Sequence, residues 1–143
     1  MVTTSEMISQ QAARVTPYPV ALELIGPSGK RMTVGKIFTT PKHGWLFYFE
    51  TKDGGALRKL DSIAVAPEVL DWLEARGITA IHAYDKPAKK LYVADVNTFR
   101  KHGVKTAYFE GVRLQLPRHY CKAAHRDYKP LWIDLVVSIK AGR

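Results

Sequence analysis

The sequence predicts an α+β fold: a single domain built on a mostly antiparallel, curved sheet with two or three short helices. Three observations predict it. Apolar and polar residues alternate over most of the chain, as half-buried strands require. Only a few short windows carry helical spacing, and capping residues bound them. At 143 residues the chain has the length of one domain and can bury roughly two thirds of its unfolded surface. No internal repeat or low-complexity linker divides it. Residues 1–16 read as a flexible polar tail without the apolar run of a secretory signal. Residues 17–143 read as the single α+β domain, a neutral meander over 17–66 followed by a basic αβ part over 67–143.

The elements follow in order. Val20–Ile25 is an apolar strand ended by Gly26-Pro27-Ser28-Gly29, a turn signal. Arg31–Phe38 returns as its hairpin partner, with Met32, Val34 and Phe38 expected on one face. Pro41-Lys42-His43-Gly44 turns the chain into Trp45–Glu50, which sets Trp45, Phe47 and Phe49 on one side. Asp53-Gly54-Gly55 is a tight-turn sequence, and Leu57–Val65 is the next strand. The period then changes. Pro67 suits a first helical position, Glu68 the positive helix start, and Val69, Leu70 and Leu73 form an apolar stripe before Gly77. Ile78–Tyr84 and Leu91–Ala94 are strands joined by a tip at Asp85–Lys90. Asp95 caps a short helix over Val96–His102, closed by Gly103. Lys105–Phe109 and Val112–Leu116 pair across Glu110-Gly111. Pro117 opens a helical segment over Arg118–Arg126. Leu131–Ile139 is a last strand with Leu131, Ile133, Leu135, Val137 and Ile139 facing one way.

Charge is distributed unevenly. Residues 1–75 hold eight Lys/Arg and eight Asp/Glu, whereas residues 76–143 hold fourteen against five, so the whole formal charge of +9 arises in the second half. Such self-repulsion is relieved by an anionic partner. No run of 18 apolar residues exists, so no membrane span is expected. The single Cys121 cannot form an internal disulfide, which suits a reducing cytoplasm.

Catalytic patterns are sparse. Cys121 with His119 and His125 lacks a fourth zinc ligand and the surroundings of a thiolate nucleophile. Gly26–Lys30 lacks the spacing of a phosphate loop. Glu50-Thr51-Lys52 at the end of an apolar strand resembles the E-x-K of the metal-dependent PD-(D/E)XK nucleases. That resemblance implies Mg²⁺ held by Glu50 and a second carboxylate, with Lys52 polarising water; Glu23 is the available partner, although the family carries an Asp on the preceding strand. Apart from this resemblance no cofactor is expected.

The basic elements point instead to binding. Lys86, Lys89 and Lys90 crowd one tip. Arg100, Lys101 and Lys105 lie in or after a helix, and Arg113 on a strand. Arg118, His119, Lys122 and Arg126 share one segment, with 118, 122 and 126 stacked at i, i+4 and i+8 if it is helical. Tyrosines, Tyr92 among them, are interleaved with these bases, as in surfaces that grip nucleic-acid backbone or stack unpaired bases. No recognition helix or RNA-binding motif accompanies them. The leading expectation is a small basic protein that binds DNA or RNA backbone without catalysis. A second is a regulator of phage or mobile-element type docking on an acidic surface of a larger machine such as RNA polymerase. The third is the nuclease.

Overall fold

The structure is a computed structural model and describes residues 19–51, 62–108 and 111–141. The proposed tail at 1–16, Lys52 and the Asp53-Gly54-Gly55 turn lie outside these residues. Strands β1 (Val20–Ile25) and β2 (Arg31–Thr40) close around a turn in which the Gly29 amide donates to the Gly26 carbonyl at 2.9 Å. Strand β3 (Gly44–Thr51) pairs antiparallel with β2. The chain then leaves this sheet. Strand β4 (Ser62–Val65) joins β8 (Gly111–Pro117), and β8 joins β7 (Val104–Tyr108), in a separate three-stranded sheet. Helix α1 (Pro67–Ala75) carries the chain back to β5 (Ala80–Asp85), which lies parallel to β3. Strand β6 (Lys90–Asp95) returns antiparallel to β5 and leads into α2 (Val96–His102). Strands β9 (Lys122–Ala124) and β10 (Val136–Lys140) complete a seven-stranded sheet ordered β10-β1-β2-β3-β5-β6-β9.

The two helices begin where their sequences say they should. Pro67 occupies the first turn of α1 with Glu68 beside it, and Val69, Leu70 and Leu73 are buried. The Asp95 carboxylate accepts from the Thr98 amide at 2.8 Å and caps α2, whose Val96 and Phe99 are buried. Both helices and the small sheet cover one face of the large sheet, so Leu22, Ile37, Phe47, Ile81, Leu70 and Phe99 form one core.

The other face carries a second cluster, Phe38, Leu46, Tyr48 and Leu91, joined by Tyr128 and Ile133. It is covered by the chain itself. Strands β9 and β10 occupy opposite edges of the sheet, so residues 125–135 must cross its full width. Six strand spacings come to about 29 Å. Eleven extended residues reach roughly 36–40 Å, whereas eleven helical ones would reach only about 16 Å. The connection is therefore an extended strap. Tyr128 packs edge-on against Phe38 and Tyr48, with centroids 5.8 and 5.9 Å away. Lys42 and His43 hold Asp127 at 2.8 and 3.1 Å, and the Ala21 amide donates to the Leu135 carbonyl at 2.8 Å.

Several sequence expectations are corrected. The domain is more sheet-dominated than expected: among the described residues 54% lie in strands, beside two α-helices. The large sheet is mixed, because β1 pairs with β10 and β3 with β5 in parallel. The meander ends at β3, since β4 belongs to the other sheet. Arg118–Arg126 is not a helix: a 3-10 turn covers Arg118–Tyr120, and Lys122–Ala124 pairs with Leu91–Val93. Satisfying the open backbone edge of β6 outweighs a local pattern that offers no apolar stripe. The last strand begins at Val136, because 131–135 belong to the strap, and Leu131 and Leu135 are exposed.

Met32 and Val34 pack on the first core while Phe38 lies in the second. A bulge in the β1–β2 ladder, where Leu22 pairs with Gly35 but Glu23 with Thr33, shifts the alternation by one residue and exchanges the faces. Gly35 is required there: a Cβ would stand 2.6 Å from the Tyr48 carbonyl oxygen and 2.7 Å from the Phe47 ring. Gly35→Ala is expected to lower the unfolding free energy by about 2–3 kcal/mol, read as a reduced midpoint in urea. An unchanged midpoint would show that the β2–β3 contact yields without cost.

Candidate nucleic-acid interface

Folding sorts the basic side chains into two groups. The arginines are largely engaged within the protein. Arg100 reaches from α2 to α1 and donates to Asp71 at 2.7 Å and Glu74 at 2.8 Å, which raises its pKa. Arg118 projects from the turn after β8 over the Tyr92 ring at 5.1 Å. It donates to the Tyr92 hydroxyl at 3.1 Å and stands 3.6 Å from Asp85, whose side chain is 1% exposed. Removing Arg118 would leave that carboxylate buried without its counter-ion, at a cost of about 3–5 kcal/mol. Arg126 enters the strap over the Tyr84 ring at 4.3 Å, donates to the Tyr48 hydroxyl at 2.8 Å and lies 3.8 Å from Glu50. A planar, forked cation suits such ties better than an ammonium does. His119 leans on Tyr120, which stacks on His102 at 4.0 Å and joins the turn to α2.

The lysines remain outside. In the turn between β5 and β6, Lys89 adopts φ 55° and its amide donates to the Lys86 carbonyl at 3.2 Å. Lys86 approaches Glu50 at 3.9 Å and is well exposed. Lys89 and Lys90 are exposed and have no carboxylate within 4 Å among the described residues. Lys122 is likewise exposed and unpaired, on the edge strand β9 opposite Val93 of β6. These three line one edge of the large sheet and the turn that continues it. Lys101 and Lys105 are also exposed and unpaired among the described residues, but on α2 and β7. Arg113 lies on the outer face of the small sheet, opposite Thr106. The cations chosen from sequence therefore do not converge as one group.

Two strap residues escaped sequence reasoning. Lys129 is exposed and unpaired among the described residues, and Trp132 is 90% exposed. Their signal was lost because 118–126 reads as a helix and 131–139 as a strand, which leaves no reason to expect a strap between.

The nuclease constellation is not assembled. Glu23 is taken by Arg31 at 2.6 Å and by the Ser138 hydroxyl at 2.8 Å; the Ser138 bond first, then Arg31, lowers its pKa. It lies on β1, two strands or about 10 Å in strand spacings from Glu50 on β3. Lys52 is outside the described residues. No group of three or more His, Cys, Asp or Glu among the described residues is placed to hold a metal ion. Burial pushes the half-buried Cys121 thiol up to about 11, against the lowering effect of Arg118, so it is a thiol at neutral pH. His82 is 2% exposed, and burial first, then His43, brings its pKa down to about 4. It is neutral at pH 7 and closed off from solvent. The described surface presents ammonium groups and aromatic faces. Among the described residues no helix is long and apolar enough to cross a membrane.

Compared with protein-family models, curated proteins and solved structures, the chain matches none.

Proposed function

We propose that the protein binds nucleic acid through its phosphate backbone and performs no catalysis of its own. One observation carries the reading: Lys89, Lys90 and Lys122 lie at the β6–β9 side of the large sheet and the turn before β6, with no carboxylate within 4 Å of them among the described residues, in a chain of formal charge +9. Exposed like charges on one side of the sheet raise the energy of the free protein, and a polyanion relieves it with release of counter-ions. Lysine supplies a point charge without base readout, so this edge favours affinity over sequence preference.

The test is an anisotropy titration of a labelled oligonucleotide at about 100 mM salt. Reversing the edge, Lys89→Glu with Lys90→Glu and Lys122→Glu, is expected to weaken binding at least about tenfold. Reversing Lys101 and Lys105 instead is expected to cost less than about threefold, the long-range effect of net charge alone. All five side chains are exposed, so folding is not at stake. Equal losses in the two variants would place the interface elsewhere.

A further inference from the structure

Among the described residues Trp132 is the most exposed of the large apolar side chains, at 90%. Exposed on a loose loop it would mean little, but here it is presented from a fixed segment. One residue before it, the Leu131 carbonyl accepts from Lys36 Nζ. One residue after it, Ile133 packs into the second core, and the Leu135 carbonyl accepts from the Ala21 amide. The indole also forms one wall of a groove of about 300 Å³ between strap and sheet. This groove opens where the β2–β3 ladder ends, beyond the pairing of Lys36 with Tyr48, and Thr33 and Glu50 stand on its rim.

We propose that this groove is a nucleobase site, and hence that the nucleic acid bound is single-stranded. The inference rests on the backbone-binding reading above and adds the class of strand to it. An exposed indole on a fastened backbone offers a flat apolar face that an unpaired base covers by stacking. The rim supplies edge chemistry: the Glu50 carboxylate accepts from an exocyclic amino group, and the Thr33 hydroxyl donates or accepts. The charge of Glu50 is balanced by Arg126 at 3.8 Å and Lys86 at 3.9 Å, so the site does not repel a polyanion through it. Lys36 lines the groove and Lys129 adds positive charge on the same strap, whose two exposed carboxylates are Asp127, paired with Lys42 and His43, and Asp134. The volume is at the lower end of small-ligand sites, enough for a ring but too small for a helix about 10 Å across. A base within a duplex is already covered on both faces and would have to be flipped out to reach Trp132.

The experiment compares a strand of about 12 cytidines, within the site size of comparable domains, with the same strand annealed to its complement. Wild type, Trp132→Ala, Trp132→Phe and the Lys89/Lys90/Lys122 reversal are titrated with each. Expected are quenching of tryptophan emission that disappears in Trp132→Phe, and a loss of about 5- to 150-fold in single-strand affinity in Trp132→Ala. Trp132→Phe retains most of the affinity, and duplex binding changes less than about twofold. Single-strand affinity unchanged in Trp132→Ala, with the lysine reversal still weakening it, overturns the base site and leaves the backbone reading intact. Failure of the wild type to bind either form overturns both. Trp132 emission that ignores the strand but shifts with protein concentration overturns the proposal in favour of a contact between copies of the chain.

Discussion

Tyr128→Ala is expected to lower the unfolding free energy by about 3 kcal/mol, within the roughly 3–5 found for aromatic truncation. No other residue of the strap is so deeply committed to the sheet. Its ring meets Phe38, Tyr48, His43 and His82, and its hydroxyl lies 2.8 Å from His82 Nδ1. Burial raises the pKa of that hydroxyl, so it remains a proton donor throughout the accessible range. The other fastenings are weaker. Asp127 is 41% exposed, and an exposed ion pair such as those it makes with Lys42 and His43 contributes about 0–1 kcal/mol. Tyr128→Phe keeps the packing and loses one hydrogen bond, so it should cost about 1 kcal/mol. Denaturant unfolding measures both. Faster trypsin cleavage after Arg126 in Tyr128→Ala would show that the strap is what loosens. If Tyr128→Phe costs as much as Tyr128→Ala, the hydrogen bond rather than ring packing fastens the strap.

The second large effect is a loss of stability in mild acid. His82 has a pKa of about 4 in the folded protein, against an ordinary 6.5. Burial is the main cause and the nearby His43 the next, while Asp127 opposes them. A depressed histidine pKa means that the unfolded chain takes up the proton first. Stability from this source is complete above pH 6.5, falls as pH drops from 6.5 to 4, and is then fully lost. By pH 4.5 the loss is about 2–3 kcal/mol. Asp127 acts in a separate window. The Lys42 bond first, then the His43 bond, lowers its pKa to about 2, so its contribution fades only below the ordinary carboxylate range. Urea unfolding at pH 7 and 4.5 separates the sources: His82→Gln should remove most of the difference between the two pH values. A difference that persists in His82→Gln would assign it to other groups.

Local chemistry made much of this fold readable. The bounds of β1, the proline start of α1, the Asp95 cap of α2 and the tip at Asp85–Lys90 each depend on a few neighbouring residues. Long-range pairing did not announce itself. Nothing near Val136 says that it will lie parallel to β1, and nothing near Lys122 says that it will serve as an edge for β6. The strap follows from those two pairings, since it must join strands at opposite edges. The bulge at Gly35 escaped because a one-residue shift leaves composition unchanged and exchanges every face beyond it. The cations show the same division. Sequence counts them, but only the fold decides that Arg100 meets Asp71 and Glu74, and Arg118 meets Asp85, while Lys89, Lys90 and Lys122 meet no carboxylate among the described residues.

The backbone-binding account is tested most directly by the salt dependence of oligonucleotide affinity between about 50 and 200 mM. With three or four phosphates neutralised by Lys89, Lys90, Lys122 and Lys129, log K should fall with log[salt] at a slope of about −3. The Lys89/Lys90/Lys122 reversal should bring that slope close to zero. A wild-type affinity that does not respond to salt would contradict the account.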